Sequence, residues 1–128
     1  MQKINLVQQY IQAAYEGNVE KAASFLSEDI SLVMGGKNQL TGKHKGIPAF
    51  FAAFKAMLEL TGFSYKLEKK QDWLESDTRV ILIAQESAEK QGQRHYFDRV
   101  IEYYFEHNVI QRITIYEASP EITDWVFA

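Results

Sequence analysis

The chain has 128 residues, 14 Lys+Arg against 17 Asp+Glu, and a net charge of -3. That length fits a single domain, 1–128, and its 46% hydrophobic content excludes a disordered tail. The mild acidity argues against a nucleic-acid binder, which needs a basic face, and the absence of cysteine excludes disulfides, thiolate chemistry and Cys-ligated metals. No apolar run approaches the roughly 18 residues of a membrane span and no leader pattern opens the chain, so a soluble, cytoplasmic protein with no membrane partner is expected.

Ile4, Val7, Ile11 and Ala14 recur at helical spacing with Tyr10 and Tyr15 beside them, which predicts a first helix ended by Gly17. Asn18 caps a short second helix whose face carries Val19, Ala22, Ala23 and Leu26. Ile30, Leu32 and Met34 alternate with polar or smaller residues and predict a first strand. Residues 35–46, with four glycines, read as a polar loop. A third helix follows, with Pro48 in its first turn and Phe50, Phe51, Phe54, Met57 and Leu58 on its apolar stripe, and Thr61-Gly62 ends it.

The second half predicts four strands, near 63–74, 78–88, 94–106 and 109–118, broken at Ser76-Asp77, Gln91-Gly92 and His107-Asn108. Connections this short predict an antiparallel meander. A brief terminal segment after Ser119-Pro120-Glu121 carries Trp125 and Phe127, aromatics suited to closing the mouth of a hollow or packing on a second subunit. The expected architecture is α+β: three N-terminal helices packed on a curved antiparallel sheet, with a pocket between the layers.

Strand parity then selects the inner face. In 94–106 the odd positions His95, Phe97, Arg99, Ile101, Tyr103 and Phe105 are the more apolar set, and in 109–118 the inner set is Ile113, Ile115 and Glu117. In 78–88 the faces Val80, Leu82, Ala84, Glu86 and Ile81, Ile83, Gln85 are both apolar, so that strand is either covered on both sides or in contact with a partner subunit. This parity places Arg99 and Glu117 on neighbouring strands facing the same interior, with Glu86 available from a third. Inner charges are costly unless paired or solvated. Desolvation raises a carboxyl's pKa and an arginine lowers it, so the balance decides whether Glu117 trades protons near neutrality. The alternative is an Arg99–Glu117 ion pair with a purely structural role.

Four segments carry a resemblance. They are the helix from Val7 to Asn18; Phe25-Leu26-Ser27-Glu28-Asp29-Ile30; the run from Gly42 to Gly46-Ile47-Pro48-Ala49-Phe50-Phe51; and the pair Glu102 to Ile110 with Ile115-Tyr116-Glu117. In order and spacing, over about residues 5–118, they resemble the SnoaL-like branch of the NTF2-like superfamily. The resemblance implies a cone-shaped α+β barrel, a homodimer through the convex sheet, and a cavity that in different members serves ketosteroid isomerisation, polyketide cyclisation, epoxide hydrolysis, dehydration or binding alone. Tyr10 matches the helix tyrosine that hydrogen-bonds an enolate in the isomerase-like members, but Met34 stands where their first-strand base belongs and Ile101 where their second oxyanion donor belongs. Arg99 matches the guanidinium that bridges two carboxylates in the epoxide hydrolases, with Ile101 again in place of the same-strand acid. Glu117 matches the last-strand acid of the cyclase-like members.

The expectation is a cavity for a small, mostly apolar molecule, lined by Met34, Phe54, His95, Phe97, Ile101, Tyr103 and Ile115. Cofactor-free acid/base chemistry there would use Glu117 to move a proton, Arg99 to orient it, and Tyr10 or Tyr103 to hold a developing oxyanion. The alternative is a non-catalytic ligand-binding or dimerisation module. No metal site is expected, because His44, His95 and His107 lack ligand spacing. Gly36 to Gly42-Lys43 departs from a phosphate-binding loop, with five intervening residues and His44 in the hydroxyl position.

Overall fold

The computed structural model describes residues 2–128; Met1, where the leader reading begins, lies outside the described residues. Helix α1 (Gln2–Tyr15) buries Ile4, Val7 and Ile11 together with Tyr10 and Ala13, the stripe its spacing predicts. Gly17 leaves the helix at φ +76°, where a side chain would be strained. The Asn18 side chain then accepts the Lys21 N–H at 3.1 Å and caps α2 (Val19–Ala23). Strand β1 (Leu26–Met34) and the short β2 (Gly42–Lys45) precede α3 (Ile47–Leu60), which has Pro48 in its first turn and buries Phe50, Ala53 and Met57.

Strands β3 (Lys66–Glu75), β4 (Arg79–Lys90), β5 (Gln93–Glu106) and β6 (Val109–Glu117) form the expected antiparallel meander. The turns Gln91-Gly92 and His107-Asn108 each place two successive residues at positive φ, which matches the twist of the strands they join. The chain closes on a fourth helix, α4 (Pro120–Val126).

Three features differ from the sequence expectation. Residues 42–45 are not loop but an edge strand paired antiparallel with β1, Leu32 opposite His44. Gly-Lys-His-Lys has no alternation to betray a strand, and backbone pairing at an open sheet edge imposes the conformation. The sheet, ordered β2-β1-β6-β5-β4-β3, is not wholly antiparallel, since β1 runs parallel to β6. No hairpin links those two, so turn geometry sets no direction for the pair. Finally, the terminal segment forms a helix that covers the sheet and buries Phe127.

The inner face follows the parity. Val80, Leu82, Ala84 and Glu86 on β4, Phe97, Arg99, Ile101, Tyr103 and Phe105 on β5, and Ile113 on β6 are buried against the helices. No helix is long and apolar enough to cross a membrane among the described residues.

Candidate functional site

Register brings the charged residues together. Arg99 lies directly opposite Glu117 across the β5–β6 pair and opposite Ala84 on β4, two positions from Glu86. The guanidinium is 1% exposed and its three nitrogens are all engaged. Nε donates to Glu117 Oε1 at 2.9 Å and Oε2 at 3.1 Å, Nη2 donates to Glu117 Oε2 at 2.7 Å, and Nη1 donates to Glu86 Oε1 at 3.1 Å. The Met57 sulfur lies 3.8 Å from Nη1. The rings of Phe97 and Phe127 lie 5.3 and 5.2 Å from the guanidinium carbon, so the planar cation is held between aromatic rings as well as between acids.

The remaining Glu86 oxygen, Oε2, accepts a hydrogen bond from the Tyr65 hydroxyl. Burial pushes the Glu86 carboxyl above the usual carboxylate range, while Arg99 and the Tyr65 hydrogen bond pull it back down. The Tyr65 phenol is raised well above its ordinary value, first by burial and then by the Glu86 charge beside it. Arg99 stays charged: burial opposes its charge, but the acids around it outweigh that.

Above this cluster, between the helices and the sheet, is a hollow of about 70 Å³. Tyr10, Met34, Phe54, Ile101, Tyr103 and Ile115 line it, and so does Glu86. The other residues expected there lie elsewhere. Glu117 is not on the wall, because both its oxygens turn to Arg99. Phe97 packs edge-on against Phe127, with ring centroids 6.1 Å apart. His95 sits further out along β5, its ring edge-on to Trp125 at 4.7 Å, with a buried Nε2 that has no hydrogen-bond partner among the described residues. The acid that faces the interior space is therefore Glu86.

Tyr10 and Tyr103 meet edge to face at 6.3 Å on the far side of the hollow. Burial raises both phenols, so they stay protonated. Neither hydroxyl has a hydrogen-bond partner among the described residues. Buried phenols usually find one. An apolar hollow that offers two uncommitted O–H donors and one carboxyl is suited to a carbonyl or enol oxygen. Among the described residues no group of three or more His, Asp or Glu is arranged to hold a metal ion.

Sequence reasoning missed Tyr65 and the packing of Phe127 on Arg99. A signal for Tyr65 existed: Leu67 lies opposite Glu86, so two residues earlier the parity again points inward. For Phe127 there was none, since nothing in a ten-residue tail announces which part of the sheet it will cover.

No protein-family model matches the sequence, and no curated protein sequence matches it. Solved structures do. Bal32a, from a soil-derived mobile gene cassette, is 25% identical over 99% of this chain and 97% of its own, with a TM-score of 0.89. An NTF2-like protein from Burkholderia xenovorans is 14% identical over 98% and 95% of the two chains, with a TM-score of 0.81. A protein named as a candidate polyketide cyclase, from Sinorhizobium meliloti, is 15% identical over 88% and 94%, with a TM-score of 0.70.

Proposed function

We propose that this chain, whose fold is the NTF2-like α+β cone, binds a small, largely apolar molecule bearing a carbonyl group and moves a proton on the carbon beside it. One observation supports this most directly: a buried carboxyl, Glu86, faces the two unpartnered phenols Tyr10 and Tyr103 across an apolar hollow. Glu86 takes the role that the sequence suggested for Glu117. A carboxylate whose pKa is raised by burial is a stronger base than a solvated one and sits nearer the operating pH.

In the proposed step Glu86 accepts a proton from the carbon next to the carbonyl. The carbon–hydrogen electron pair becomes the enolate double bond, and the carbonyl electrons move to oxygen. The Tyr10 and Tyr103 hydroxyls donate to that oxygen as its charge grows, which is where preorganised donors lower a barrier most. Glu86 then returns the proton to carbon. Arg99 and Glu117 fix the orientation of Glu86, and Tyr65 releases its oxygen when the substrate arrives. The neighbour named as a candidate polyketide cyclase lends the fold to such chemistry but does not assign it.

The test is deuterium exchange into small ketones in heavy water, followed by NMR. The protein is expected to accelerate exchange at the carbon next to the carbonyl, and Glu86→Gln to abolish the acceleration while the fold persists. Exchange at the solvent rate would leave the second reading, a non-catalytic binding module. That reading is supported by the engagement of both Glu86 oxygens, one by Arg99 and one by Tyr65.

We also propose a homodimer through the outer face of the sheet. Tyr96, Tyr116 and Leu74 are half exposed there, and Ile81, Ile83 and Val100 lie between them.

A further inference from the structure

The hollow of about 70 Å³ is well below the roughly 300 Å³ at which ligand pockets begin. It holds a few heavy atoms, not a whole metabolite. A larger space adjoins it. A cleft of about 810 Å³ runs outside it between α1 and β3, and Ile11, Tyr15 and Tyr65 line both. The Tyr15 and Tyr65 rings stack at 6.3 Å and 16°, and Phe54 meets Tyr15 edge-on at 6.1 Å. Tyr15 is nevertheless 43% exposed and is the last residue of its helix, two positions before Gly17. Ile11, Tyr15 and Tyr65 are the wall between the two spaces, and Tyr15 is the most exposed of the three.

The cleft's chemistry differs from the hollow's. Gln8, Gln9 and Gln12 of α1 face it, with Glu16 at one end, and β3 contributes Lys66 and Lys70. Neither lysine has an ion-pair partner among the described residues; the acid between them on β3, Glu68, is engaged by the Ser87 hydroxyl at 2.6 Å. Two uncommitted cations beside a row of amide donors favour an anionic group.

We propose that this cleft is the outer chamber of the same site: it holds the anionic end of an amphipathic ligand, a carboxylate or sulfonate, while the apolar end passes Tyr15 into the hollow. The proposal rests on the reading of the hollow given above and names the class of molecule that reading leaves open. The ligand is then longer than the hollow, and Tyr15 is the side chain that decides whether its apolar end is admitted.

The test uses two fluorescent dyes, anilinonaphthalene sulfonate, which is apolar with one anionic end, and Nile red, which is apolar and neutral. Lys66→Gln with Lys70→Gln is expected to weaken sulfonate-dye binding about fivefold and to leave Nile red unchanged. Lys55→Gln, on the other side of Tyr15, is expected to change neither. Added salt is expected to remove the wild-type preference for the anionic dye. Tyr15→Ala, checked for intact near-ultraviolet dichroism, is expected to tighten both; Tyr15→Leu serves if the alanine variant does not fold.

Sulfonate-dye binding that ignores both lysines overturns the outer chamber. If deuterium exchange into small ketones is then still accelerated by the wild type and lost in Glu86→Gln, the reading of the hollow survives. Failure of both dyes to bind either the wild type or the Tyr15 variants overturns the outer chamber, and exchange at the solvent rate overturns the reading of the hollow as well.

Discussion

At the Arg99 end of the hollow, every nitrogen of the guanidinium and every oxygen of Glu86 and Glu117 has a partner. At the Tyr10 end two phenols have none among the described residues. Both regions are buried and both carry polar groups, yet they serve different ends. Satisfied polar groups in a dry interior hold a structure in one arrangement. Hydroxyls that open onto a hollow and meet no protein acceptor hold nothing in place, and they are free to donate to an acceptor that a ligand supplies. Glu86 belongs to both regions, tied into the network by its oxygens and lining the hollow with its side chain.

The comparison breaks first at Arg99. Arg99→Ala leaves two buried carboxylates without their cation and is expected to cost about 3–5 kcal/mol, read from urea unfolding. Replacing all three charged residues together, with Met at 99 and Gln at 86 and 117, is expected to recover much of that loss, because no unpaired charge remains. Equal instability of the single and triple variants would mean that packing, and not charge, holds this end together.

Next comes the helix that seals the same end. Phe127 is fully buried against Arg99 and Phe97. Its neighbour Asp124 holds the 35–41 loop by accepting the Lys37 N–H at 2.7 Å and the Asn38 side-chain amide at 2.9 Å. Phe127→Ala is expected to cost about 3 kcal/mol in the same measurement. A cost below about 1 kcal/mol, the size of an ordinary surface substitution, would show that α4 is an ornament on the cone and not part of its seal.

The third effect is smaller and depends on pH. Burial raises the Glu86 pKa above its unfolded value, so the folded state binds that proton more tightly than the unfolded state does. The stability this proton contributes is fully present below the ordinary carboxylate pKa and is lost as pH rises through the raised folded value. Melting temperatures across this window are expected to fall more steeply with rising pH for the wild type than for Glu86→Gln. Parallel curves would show that Arg99 and Tyr65 fully offset the burial.

Much of this arrangement was legible before the structure, for a specific reason. The alternation Phe97, Arg99, Ile101, Tyr103 leaves one inward phase, and the next strand then has to place Glu117 opposite Arg99. Local periodicity carries that information. It does not say which oxygen of which acid turns to the guanidinium, so Glu117 and not Glu86 seemed to face the cavity. The β2 strand was hidden because Gly42–Lys45 has no periodicity of its own and takes its form from β1. The C-terminal helix posed the opposite problem: Pro120 and the apolar Ile122, Val126 and Phe127 are visible, but the surface they cover is set by contacts far away in sequence. Residues whose environment is built by a neighbouring strand could be read, and residues whose environment is built by a distant segment could not.

The smallest effect on stability tests the Tyr10 end most sharply. Tyr10→Phe removes a hydroxyl that has no partner among the described residues and keeps the ring that packs against Phe50 and Tyr103. Deleting a hydroxyl that opens onto the hollow without a protein partner is expected to leave stability within about 0.5 kcal/mol of the wild type. The same substitution is expected to reduce deuterium exchange into ketones by about tenfold or more, and Tyr103→Phe to act in the same direction. A purely structural phenol would behave in the reverse way, with a clear loss of stability and unchanged exchange. The two readouts separate because the hydroxyl has nothing to hold in the empty protein and a developing oxyanion to hold in the occupied one.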